Sequence, residues 1–154
     1  MQYRLLMLAV SALCLSLGAA NAASNVQLNP QAVIYDLPAQ IPWQDVPSIP
    51  GLRIATLAGN PNGTGLYVQL IHWPPHRMSR PHYHANDRFI TVLSGTWWVG
   101  TGPIFDPDRT VPMPIGSFVT HFNHQIHYDG AKDSEAVIEV VGIGPAAMIP
   151  AEKK

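Results

Sequence analysis

The sequence predicts a small all-β protein, and three observations carry that expectation. The chain has 154 residues, and its 15 Pro and 12 Gly are dispersed along it. Proline removes a backbone donor and clashes inside helices, so few long helices survive such a distribution. Apolar residues fall in short runs with a two-residue alternation, not at the 3.6-residue spacing of a helix. Clusters of Gly, Pro, Asn and Asp separate those runs at close intervals. Short strands in this number close into a barrel or stack as a sandwich, and this length supports one core.

The N-terminus reads as an address. Met1 to Arg4 is a short positive segment, Leu5 to Leu17 is apolar and uncharged, and Ala20-Asn21-Ala22 has the small-x-small pattern of a cleavage site. Residues 1–22 are expected to be a secretory signal peptide, cleaved before Ala23. The apolar run is shorter than the ~20 residues a bilayer core requires, so no stable membrane anchor is expected after cleavage. The mature chain is therefore expected to be exported, to the periplasm of a Gram-negative bacterium or otherwise to the medium. Cys14 is the only cysteine, so a mature chain without it has neither disulfide nor thiolate ligand. The formal charge of −1 becomes −2 once Arg4 is removed. That balance argues against a nucleic-acid partner, which would normally call for a basic patch.

From residue 23 to 50 the chain carries Pro30, Pro38, Pro42, Pro47 and Pro50. This predicts an extended arm with one short edge strand near Ala32–Tyr35. An arm of this kind suits exchange with a second copy, so a homodimer is one expected assembly. Strands are expected at Leu52–Leu57, Gly65–Trp73, Arg88–Leu93, Thr96–Gly100, Ser117–Phe122 and Ala136–Val141. In the second of these, Leu66, Val68 and Leu70 share a face that continues to His72. Asn60-Pro61-Asn62-Gly63, Gly95, Gly100-Thr101-Gly102 and Asp129-Gly130 punctuate the runs. Trp97 and Trp98 are neighbours on a strand, so one faces the core and the other faces away. A barrel over 51–145 and a short tail over 146–154 complete the expected organisation.

All seven histidines fall between positions 72 and 127. Neutral imidazole is the commonest protein ligand for transition metals. His82 and His84 are two apart, which on a strand turns both rings to one face. Alone, that spacing fits a polar strand face as well as a metal site.

The wider context adds to it. His82-Tyr83-His84, the apolar run Phe89–Leu93 and Gly95 resemble the first motif of the cupin superfamily. Pro112-Met113-Pro114-Ile115-Gly116 and the later His127 resemble the second. The resemblance spans residues 82–127 for the motifs and about 52–143 with the flanking strands. It implies a single antiparallel, jelly-roll-like cupin barrel holding a divalent transition metal (iron, manganese, nickel, copper or zinc) on His82, His84 and His127. The family's glutamate is replaced by Arg88, whose guanidinium has no lone pair to offer a metal. Asp87 is next to it but one step along a strand faces the other way.

Three readings of Arg88 stay open. The three histidines form a neutral site with Arg88 as a fork for a carboxylate; or another histidine, His121 before His76, completes the ligand set; or the metal is lost and Arg88 with the histidines binds an anion. The corresponding functions are an enzyme on a small oxygenated organic compound, of dioxygenase, isomerase or lyase type, or a non-catalytic ligand-binding or sensing module. In the enzyme, Arg88 would orient substrate and His121 would move protons. His72, as a strand-end residue bonded to backbone, and His124, as a solvated loop residue, are expected to stay outside the site. Asp129 and Lys132 read equally well as site-closing groups or as an ordinary charged turn.

Overall fold

The structure is a computed structural model that describes residues 26–153. The expected signal peptide lies outside the described residues. The chain separates into two units, one ending at Tyr35 and one running from Asp36. In the described part of the first, Val33 N donates to Asn29 O and Gln31 N to Asn29 Oδ1. Asn29 thus closes a turn with its own side chain, and no strand forms near Ala32–Tyr35.

In the second unit the first strand is β1, Gln44–Asp45. It is followed by β2 (Arg53–Gly59), β3 (Leu66–Trp73), β4 (Arg77–Met78), β5 (His82–Tyr83) and β6 (Arg88–Thr101). Then come β7 (Val111–Pro114), β8 (Phe118–His121), β9 (His127–Ala131), β10 (Ala136–Ile143) and β11 (Ile149–Pro150). The strand order is β1-β2-β3-β10-β6-β9-β5-β11, with β4 on β9 and both β7 and β8 on β6. Every pairing is antiparallel. The all-β barrel expected from the sequence is the fold observed.

The central element is β6. The sequence divides it at Gly95, but the structure runs one 14-residue strand through that glycine. Its first half pairs with β10 and β8, its second with β7 and β9. A register shift against β10 falls between Val137 and Ile138, opposite Ser94 and Val92. Gly95 has φ +70°, and a Cβ there would lie 2.0 Å from Glu135 O. Only glycine fits at that position, two residues from Leu93, the extra residue that the shift leaves unpaired. The extra residue switches which parity faces inward: Ile90 and Val92 enter the core before it, Trp97 and Val99 after it. Trp98 accordingly faces out, with Lys132 Nζ 4.1 Å from its ring centroid.

The core unites both sheets through Tyr67 and Trp73 of β3, Ile138 and Val140 of β10, and the four β6 residues. On β3, Tyr67 and Trp73 enter the core with Ile71 packed against them, while Leu70 of the opposite row is buried outside that cluster. His72 therefore points outward, bonded to side chains rather than backbone: Nε2 to Glu135 Oε2 at 2.9 Å and Nδ1 near Arg53 at 3.4 Å.

Candidate metal centre

Two cross-strand pairs build the site. His82 of β5 lies opposite His127 of β9, and Arg88 of β6 lies opposite His121 of β8. His84, in the link from β5 to β6, joins them. Directly opposed residues in an antiparallel pair place their side chains side by side. The result is one cluster of buried rings. Centroids are 4.5 Å apart for His82–His127, 5.0 Å for His82–His84, 5.5 Å for His84–His127 and 3.7 Å for His121–His127. All four are buried, as is Asp129.

Hydrogen bonding fixes three of the rings. His82 Nδ1 donates to Arg80 O at 2.8 Å, His84 Nδ1 to Ala147 O at 3.0 Å and His127 Nδ1 to Gln125 O at 3.0 Å. A carbonyl oxygen only accepts, so each Nδ1 carries the hydrogen and each Nε2 keeps its lone pair. Locking of this kind is what orients metal-ligating imidazoles. One ligand atom from each of His82, His84 and His127 lies within 4.8 Å of the other two. Burial pushes the His84 imidazole down to about 2, helped by the charge of Arg88, and burial also holds His121 and His127 well below the usual range. All three are neutral near pH 7, the form that ligates metals.

The residues fit a divalent ion on one further count. His127 Nε2 and both nitrogens of His121 are buried without a hydrogen-bond partner. Orphaned polar atoms of that kind are uncommon in native interiors and point to a missing ligand. Against this stands Arg88, whose Nη1 donates to His84 Nε2 at 2.5 Å. Two unit charges 4 Å apart cost roughly 4 kcal/mol at an effective dielectric of 20. Any ion here must contend with that guanidinium.

His82, His84, Arg88 and His121 line one cavity of about 180 Å³, with Ile71, Trp73, Ile90, Trp97 and Ile138 among its other walls. The structure brings His82, His84, Arg88, His121 and His127 together. It leaves the others out. His76 and His124 are exposed, both at turns with positive φ; Tyr83 turns away from the cluster to tilt against His124 at 5.6 Å. Asp87 accepts from Asn123 N at 2.7 Å and caps that loop. Asp129 is the residue the sequence undersold. It lines the cavity, accepts from Trp97 Nε1 at 3.3 Å and forms a second possible ligand group with His121 and His127. The signal was present: Asp129 is two residues from His127 on one strand, hence on the same face.

Solved structures share this architecture. The polyketide cyclase RemF from Streptomyces resistomycificus superposes with a TM-score of 0.65 at 16% identity, covering 79% of this chain and 87% of its own. An RmlC-like cupin from Shewanella frigidimarina gives 0.56 at 16% identity, covering 71% and 90%. KdgF from Halomonas sp. gives 0.54 at 18% identity, covering 70% and 93%. The chain has the cupin fold. No family model matches the sequence, and neither does any curated protein.

Proposed function

We propose that the protein is an exported metal-dependent enzyme acting on a small oxygenated organic compound, with the ion held by His82, His84 and His127. The observation that carries this reading is the set of three Nδ1–carbonyl bonds, which leaves Nε2 as the lone-pair atom of each ring, in three residues that each bring a ligand atom within 4.8 Å of the other two. A bound divalent ion would supply Lewis-acid polarisation of a substrate oxygen, and redox chemistry if it is iron, manganese, nickel or copper. The apolar walls exclude water and hold a body close in size to one aromatic ring, since a cavity of about 150 Å³ accepts benzene. Arg88 orients the oxygenated end. His121 has both nitrogens uncommitted and takes or returns a proton at Nδ1 or Nε2. That one fold neighbour is described as a polyketide cyclase supports an enzymatic role for such a barrel. Support for export comes from the leader pattern at residues 1–22.

The contact of Arg88 with His84 Nε2 favours a second reading, a non-catalytic barrel that binds an anion or small ligand. Metal analysis separates the two. Protein purified without chelators from an export-competent host should carry close to one equivalent of transition metal, and its N-terminus should be Ala23. No metal, and none acquired on soaking, would give the lead to the ligand-binding module.

A further inference from the structure

Arg88 is a cation without a counterion. The ion pairs among the described residues are His72–Glu135 and Arg80–Glu152. The acids nearest in the chain and the cavity are committed elsewhere, Asp87 to Asn123 N and Asp129 to Trp97 Nε1. Of the five N–H bonds a guanidinium offers, one goes to His84 Nε2, and the Nε–H is buried with no partner. Arg88 also lines the cavity. A half-buried guanidinium in that position is the receptor for a carboxylate, which it can grip with two parallel bonds. The bond it makes meanwhile has a consequence. The lone pair of His84 Nε2 serves Arg88 or a metal, not both.

We propose that Arg88 couples the ion to a carboxylate-bearing ligand with a ring-sized apolar body. The carboxylate draws the guanidinium off His84 and offsets its charge, which frees Nε2 for the ion. Each ligand then raises the affinity of the other by the same factor, as linkage demands. This rests on His82, His84 and His127 being the ion's donors, and it adds the substrate class and the order of dependence.

The test is calorimetric titration of metal-free wild-type protein with Co(II), alone and with saturating benzoate or benzamide. Benzoate should tighten Co(II) binding at least tenfold, Co(II) should tighten benzoate equally, and benzamide should do neither. Arg88→Met should bind Co(II) more tightly than wild type without benzoate and show no coupling. Arg88→Lys, which keeps the charge and loses the fork, should retain a reduced coupling. Equal Co(II) affinity with and without benzoate in wild type would overturn the proposal while leaving the metal reading intact. So would coupling that survives in Arg88→Met. Failure of wild type to take up Co(II) under any condition would overturn both.

Discussion

The two cross-strand pairs that build the site have opposite characters. In His82–His127, across β5 and β9, both rings are tied at Nδ1 to backbone carbonyls. In Arg88–His121, across β6 and β8, the imidazole is tied to nothing and the guanidinium leans on a neighbour's ring. The imidazoles of both pairs are buried, so burial does not explain the difference between those rings. A ring fixed by main chain is held whether or not a ligand arrives, whereas an unfixed one is left for whatever enters. On the proposed metal reading, the first pair would be a preformed receptor and the second the adjustable part.

The largest effect should come from the fixed pair. His82→Ala and His127→Ala should each weaken transition-metal binding by at least about a hundredfold, because loss of a direct ligand exceeds loss of an outer partner. His124→Ala should leave metal content unchanged. Retained metal in both of the former variants would mean that the fixed rings are not the receptor. Next comes the strand that carries Arg88. Gly95→Ala forces a side chain onto Glu135 O at positive φ and should cost about 2–3 kcal/mol in urea unfolding.

Acid should then separate the neutral cluster from an ordinary set of histidines. The native imidazoles of His84, His121 and His127 sit below their ordinary value, mainly through burial, while unfolded histidine titrates near 6.5. Below about pH 6.5 the unfolded chain binds protons that the native chain refuses. Stability of the metal-free protein should therefore be flat above pH 7 and fall as pH drops, by about 1.4 kcal/mol per pH unit for each histidine. Urea midpoints between pH 7.5 and 5 measure this, and a flat profile would contradict it. The smallest effect belongs to the adjustable pair. His121→Phe removes two unpartnered nitrogens, so the metal-free protein should change by less than about 1 kcal/mol at pH 7.5. Its acid slope should be shallower by one histidine's share.

Much of this was legible beforehand because it depends on local spacing. Alternation located β3, β8 and β10, and the His82–His84 spacing with Gly95 and His127 located the three rings held by main-chain carbonyls. What stayed hidden depends on register. Ile90 and Trp97 have opposite parity, and only the bulge at Leu93 puts both in one core. Alternation alone does not decide the facing of β3, because Leu66, Val68 and Leu70 form as apolar a row as Tyr67, Ile71 and Trp73. The opposition of Arg88 to His121 follows from the pairing of β6 with β8, which neither segment states alone. The two equal readings of Asp129 follow from its neighbour Gly130, which reads as a turn, whereas the close approach of Arg77 O makes that glycine part of a buried strand.

Because β6 crosses from one sheet to the other, it also sets how the molecule opens. Its amides are shared among β7, β8, β9 and β10, so no peripheral fraying exposes Ile90, Val92, Trp97 or Val99. Deuterium should enter those positions only through complete unfolding. The slowest-exchanging amides in the chain will then report global stability directly, and a ligand that binds the native barrel will slow all of them by one common factor.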